Sequence, residues 1–148
     1  MPSILVDTGV WIALCDPRDQ TVARDIIEEL YDRIRALSIV FPWPLAYEAM
    51  RTRLVRNHLA LSRFEAILKS TIIVQLDDAP YREPALKLSF DSSLRRNRPL
   101  SMVDCMIRLL LEDIQTRIPY FATFNIADFA DVCARRRVEV WSQVRFGT

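Results

Sequence analysis

The sequence predicts an α/β fold of three layers, with helices on both faces of a central, mostly parallel sheet of about five short strands. Three observations carry this. Apolar runs are short, as in Ile4-Leu5-Val6 and Ile72-Ile73-Val74-Gln75-Leu76. Segments with apolar residues at three- and four-residue spacing lie between them, and the two kinds alternate along the chain. A run apolar at successive positions is buried on both faces, the condition of a parallel strand beneath two layers of helix.

Each element follows in order. Ile4-Leu5-Val6 is the first strand, Asp7 ends it, and a compact apolar helix begins at about Val10 and stops at Asp16-Pro17. A helix from about Asp19 to Leu37 carries Val22, Ile26, Ile27, Leu30, Ile34 and Leu37 on one stripe. Ile39-Val40-Phe41 is the second strand. Pro42 and Pro44 lead into a helix from about Trp43 to Asn57, with Tyr47, Met50 and Leu54 as its apolar stripe and Glu48 at the border. Leu61 to Lys69 is helical, and Ile72 to Leu76 is the third strand. Asp77-Asp78-Ala79-Pro80 opens a helix to about Arg95, with Pro84 placed near its first turn. After the basic connector Arg95-Arg96-Asn97-Arg98-Pro99, a helix from Leu100 to Asp113 presents Val103, Met106, Ile107, Leu110 and Ile114, with Asp104 beside that face. Tyr120 to Thr123 is the fourth strand, Ala127 to Ala134 a short helix, and Val138 to Trp141 the last strand.

Composition limits the chemistry. A chain of 148 residues suits one domain, residues 1-148, burying roughly two-thirds of its unfolded surface. No apolar run approaches a membrane span, Met1-Pro2-Ser3 does not open a signal peptide, and Cys15, Cys105 and Cys133 lie far apart in apolar contexts. A reduced, cytoplasmic setting without membrane attachment is expected. The net charge of +1 announces no global basic field, although all cations but Lys69 and Lys87 are arginines. Gly9 and Gly147 are the only glycines, so no phosphate-cradling glycine loop exists, and the single histidine, His58, disfavours histidine-rich zinc sites and Ser-His-Asp triads.

What remains is carboxylate chemistry. Asp7, Glu48, Asp104 and the pair Asn125/Asp128 fall at strand ends or helix starts. Taken singly, each has an ordinary structural role: Asp7 or Thr8 as a cap, Glu48 and Asp104 as first-turn acids, Ser101 and Asp104 as a capping box, and Asp128 as a cap. Taken together they place several carboxylates on the sheet's rim, where mutual repulsion raises their pKa values unless a divalent cation removes the cost. Oxygen donors with few histidines or thiolates favour Mg²⁺ or Mn²⁺, and such ions suit phosphodiester hydrolysis by an activated water.

Four stretches resemble the PIN-domain ribonucleases, in order and over nearly the whole chain: Ile4-Leu5-Val6-Asp7-Thr8, Pro44-Leu45-Ala46-Tyr47-Glu48, Leu100-Ser101-Met102-Val103-Asp104, and Thr123-Phe124-Asn125-Ile126-Ala127-Asp128-Phe129. The size is similar to that of the VapC-type toxins of toxin–antitoxin pairs. The resemblance implies a PIN-like fold and a metal-dependent endoribonuclease whose site is Asp7, Glu48 and Asp104, with Asn125 or Asp128 at the fourth position. It also implies a small antitoxin that blocks the site, and commonly a homodimer. Asn125 stands where many members carry Asp; an amide oxygen can still serve as a neutral ligand, and Asp128 can supply the charge. Thr8, Ser101 and Thr123 look similar to the family's polar supporting positions.

Arg95, Arg96, Arg98 and Arg108 flank the third acid and are candidates for RNA backbone contacts, against the plainer reading of a solvated surface. Trp11, Trp43, Tyr47 and Phe64 are either core or, where exposed, a groove for an antitoxin helix. Two other functions compete: a catalytically inactive PIN-like protein- or RNA-binding module, favoured by Asn125, and a phosphoacceptor receiver domain, disfavoured because the last lysine is Lys87.

Overall fold

A computed structural model describes residues 1–143; Gly147 and the end of the expected 1–148 domain lie outside the described residues. Five strands form one wholly parallel sheet: β1 (Ser3–Val6), β2 (Ser38–Val40), β3 (Ile73–Val74), β4 (Tyr120–Ala122) and β5 (Glu139–Trp141). Their spatial order is β3-β2-β1-β4-β5, so β1 is central, with Ser3 opposite Ser38 on one side and Val6 opposite Ala122 on the other.

The three-layer arrangement expected from the alternation of strands and helices is what the chain adopts. Ile4 and Val6 point into a core shared with α1 (Thr8–Cys15), α2 (Arg24–Ile34) and α4 (His58–Ser70). Leu5 points the other way, into a core shared with α5 (Ala79–Leu94), α6 (Met102–Glu112) and α7 (Ala130–Arg136). All three residues are fully buried. Burial of such a side chain contributes roughly 1.5–3 kcal/mol, so β1 is anchored from both faces at successive residues. Helix α3 (Trp43–Ala49) gives Ala49 to the first core and Leu45 to the second, which fixes it at the sheet's rim.

Several expected boundaries move, each for a local reason. Helix α2 starts at Arg24 rather than Asp19, because side chains hold the preceding residues in turns: Asp16 accepts from the Arg18 N–H at 2.9 Å, and Asp19 from the Thr21 N–H at 2.9 Å. It ends at Ile34 rather than Leu37. The helix expected from Trp43 to Asn57 stops at Ala49, and the Thr52 hydroxyl accepts from the Leu54 N–H at 3.3 Å to open a separate 3-10 turn over Arg53–Arg56. The stripe of Tyr47, Met50 and Leu54 is therefore not a stripe. Leu54 is buried, whereas Tyr47 and Met50 are exposed; Leu45 and Ala49 make the buried face, and Glu48 borders it.

Pro84 lies in the second turn of α5, where Pro80 and Pro84 are both exposed and the carbonyl that loses its donor can be hydrated. Ile114 falls outside α6, exposed in a 3-10 turn that Asp113 opens by accepting from the Gln115 N–H at 2.9 Å. The helix expected from Ala127 divides into a 3-10 turn, Ile126–Asp128, and α7; between them Phe129 is buried, its ring edge-on to Phe121 at 5.0 Å. All three cysteines are buried and free. Among the described residues no helix is long and apolar enough to cross a membrane.

Candidate functional site

Strands β2 and β3 lie to one side of β1, and β4 and β5 to the other. The carboxyl ends of β1 and β4 therefore flank a topological switch point, where open α/β sheets bind ligands. Asp7 stands there. Its N–H extends the ladder to the Ala122 carbonyl at 2.9 Å, while its carboxylate accepts from the Thr8 N–H at 2.8 Å and from the Thr123 hydroxyl at 2.9 Å. Thr123, wholly buried, accepts in turn from the Asn125 N–H at 3.0 Å. Of the two cap candidates in the sequence, Asp7 is the N-cap of α1 and Thr8 is not. Thr8 is the first residue of that helix, and its buried hydroxyl has no protein partner.

Burial pushes the Asp7 carboxyl up to about 6; the bonds from Thr123 and Thr8 pull it down, and the charges of Asp104 and Glu48 push it further up. Asp104 sits in the first turn of α6, whose N-cap Ser101 accepts from the Asp104 N–H at 3.1 Å. Its carboxyl is also held above the ordinary range, first by burial and also by the charge of Asp128, against hydrogen bonds from Ser101. Glu48, half-buried on α3, reaches the site because α3 packs on both α1 and α6. Among the described residues, Asp7, Glu48 and Asp104 form no ion pair. The field of each is unopposed by a paired cation.

The fourth position is built differently. The exposed Asn125 amide donates to Asp128 at 2.5 Å, and the other Asp128 oxygen lies 3.7 Å from the Arg98 guanidinium. Asp128 caps nothing: Phe129 occupies the N-cap of α7, without a side-chain bond. The arginines considered for RNA contacts are engaged within the chain. Arg108 forks onto Asp131 at 2.7 and 2.8 Å and donates to the Asp128 carbonyl at 2.6 Å; Arg98 donates to the Ala127 carbonyl at 2.8 Å; Arg95 and Arg96 pair with Asp91.

Among the described residues no three of His, Cys, Asp and Glu form a group that could together hold a metal ion. The side chains present are oxygen donors, which suit a hard cation that keeps part of its water shell and so need not be gripped closely by every carboxylate. The orphaned Thr8 hydroxyl beside Asp7 fits the same environment, since a buried polar atom without a protein partner is normally met by water or ligand.

Beyond Glu48 the rim opens into a cleft of about 950 Å³ between α3 and the starts of α5 and α6. Here the aromatic set divides: Trp11 and Phe64 are core, their ring centroids 5.0 Å apart with planes tilted by 42°, while Trp43 and Tyr47 stand exposed on the cleft wall. Arg51 and Arg82 also line it, and sequence reading missed both. The Asp78/Arg82 pair was legible as a four-residue helical spacing, whereas Arg51 carried no signal. No protein-family model matches the chain, and no curated protein matches it.

Proposed function

We propose that this chain is a Mg²⁺- or Mn²⁺-dependent endoribonuclease of the PIN type, and that it is the toxin of a toxin–antitoxin pair restrained by a small antitoxin protein. The observation that supports this best is the set of three carboxylates that share one electrostatic site at the switch point without a paired cation among the described residues. Asp7, Glu48 and Asp104 would hold the ion, with Asn125 and Asp128 completing the rim. When bound, the ion supplies a nucleophilic water and neutralises charge developing on a phosphoryl group. The remaining work is the protein's. Thr123 orients the Asp7 carboxylate, and Ser101 sets the start of the helix that carries Asp104.

A cytoplasmic setting, a cognate antitoxin and a second copy of the chain go with this reading. Leu86, Phe90 and Leu94 leave an exposed apolar stripe on α5 that suits either protein partner. Cleavage of structured RNA by the purified chain, with Mn²⁺ and with a chelator, tests the activity. Cutting by Asp7→Asn and Asp104→Asn at the wild-type rate would overturn the site. Expression alone should arrest host growth, and a small neighbouring gene should relieve it; harmless expression of the folded chain counts against the toxin reading.

A second reading, an inactive PIN-like binding module, is favoured by the lack of a ready three-residue metal group among the described residues and by Asn125. The two separate on melting. Native-state binding of Mn²⁺ raises the melting temperature, and an inactive scaffold shows no such rise.

A further inference from the structure

The cleft beside Glu48 has two walls of different chemistry. On α3, Trp43 and Tyr47 are 57% and 69% exposed, with ring centroids 6.2 Å apart and planes tilted by 35°. Opposite, Met102 and Met106 at the start of α6 supply an apolar face. Two guanidiniums reach the cleft. Arg82 is held by Asp78 at 2.9 and 3.2 Å, whereas Arg51 forms no ion pair among the described residues. The two exposed rings lie four residues apart on one face of a short helix, with Glu48 next to Tyr47 in the sequence, and adjacent exposed aromatics of this kind mark an interaction site.

We infer that Trp43 and Tyr47 form a stacking platform for unpaired bases of single-stranded RNA, with Arg51 as the phosphate anchor that delivers the strand to the carboxylates. The inference rests on the nuclease reading for the choice of RNA. Three features fit that occupant together. Every base has a flat face that an aromatic ring can take without sequence preference. A free guanidinium complements a phosphate. A duplex, whose bases are stacked inside, cannot use the platform. Trp43 and Tyr47 are then specificity-determining residues: they select unpaired RNA without touching the reacting bond.

The test uses the intact chain in a chelator, so that binding is read without metal-dependent cutting, and a ten-nucleotide single-stranded RNA of mixed sequence as probe. Trp11 and Trp141 are buried, so quenching on titration reports Trp43. We expect quenching by the single strand and binding at least about tenfold weaker for the same sequence as duplex. Trp43→Ala and Tyr47→Ala each weaken binding by about tenfold or more, and Trp43→Phe retains most of it. Arg51→Ala weakens binding and lowers the slope of log K against log salt by about 0.7.

A wild-type chain that does not bind the single strand, or a Trp43→Ala variant that binds as tightly as wild type, overturns the platform. So does a result in which Trp43→Ala turns a dimer into a monomer with RNA binding unchanged, since the rings would then belong to a protein interface. The nuclease reading fails separately. Binding with quenching but no Mn²⁺-dependent cleavage removes the nuclease and leaves the platform, whereas cleavage with a KM unaffected by Trp43→Ala does the reverse.

Discussion

The two ends of α6 carry acids under opposite regimes. At its start, Asp104 joins Asp7 and Glu48 in a cluster that forms no ion pair among the described residues; burial and the charges of Asp104 and Glu48 hold the Asp7 carboxyl above its ordinary range, and burial and the charge of Asp128 do the same for Asp104. At its end, Glu112 accepts from Arg135 at 2.8 Å and Arg136 at 3.2 Å, and one turn earlier Arg108 grips Asp131; both acids are pulled below their usual range by those guanidiniums. Arginine is plentiful in this chain, so the absence of paired cations at the first cluster among the described residues is not for want of them. A stability-driven arrangement pairs its acids; a cluster left unpaired at a sheet's switch point, with two carboxyls held above their usual range, is a candidate functional site.

The sharpest way to break the contrast is catalytic. Asp7→Asn and Asp104→Asn should each lower Mn²⁺-dependent RNA cleavage on the order of a thousandfold, the rate equivalent of losing about 4 kcal/mol of transition-state stabilisation. Single-turnover assays check this. Glu112→Gln, at the paired end, should leave the rate within a factor of about two and cost only about 0.5 kcal/mol of stability, because its partners are exposed.

Next in size is the paired end itself. Arg108→Ala removes a two-pronged bond to Asp131 and a third bond to the Asp128 carbonyl, tying α6 to the turn before α7. Discounting for the half-exposed Asp131, the loss should be about 2 kcal/mol, or about 6 °C in Tm. Calorimetry that finds Arg108→Ala as stable as wild type would show that these bonds only decorate the surface.

The unpaired end should give the opposite sign. A carboxyl held at about 6 in the fold and near 3.8 unfolded binds its proton more tightly when native. The stability this contributes is complete below about 3.8 and is lost as pH rises through about 6. Asp7→Asn, neutral throughout, escapes that loss: metal-free, it should melt above wild type at pH 7 by roughly 1–2 kcal/mol, after allowing for a weakened bond to Thr123, with no gain at pH 4. Mn²⁺ should raise the wild-type Tm and leave the variant's unchanged. Equal melting of the two at pH 7 would mean that Asp7 carries no electrostatic load.

The contrast between the two ends was only half visible in the sequence. The buried run Ile4-Leu5-Val6 fixed the central strand, because residues apolar in succession admit no half-solvated strand, and the acids at the ends of elements were legible by position. What hid was side-chain commitment. Thr8 and Asp7 are both good caps, and only the neighbouring strand, which brings Thr123 to Asp7, makes the aspartate the cap and leaves the threonine unpartnered. Arg98 and Arg108 looked free because Asp128 and Asp131 lie 20 or more residues away in sequence. Tyr47 and Met50 fit a helical stripe, but the helix stops at Ala49, so spacing alone assigned to the core two residues that line or border open surface.

The smallest effect tests the boundary between the two regimes. Asn125 and Asp128 sit where the unpaired acids meet the arginine-bound ones: Asp128 raises Asp104 through its charge, yet its own oxygens are taken by Asn125 and Arg98. Asn125→Asp replaces the amide donor with a second carboxylate and should return Asp128 toward the site. Asn125 is exposed, so the metal-free cost should stay within about 0.5 kcal/mol. Mn²⁺ affinity, read by calorimetric titration, should tighten several-fold, because affinity for hard cations follows the number of ligand charges. If it does not move, Arg98 holds Asp128 on the structural side, and the cation site ends at Asp104.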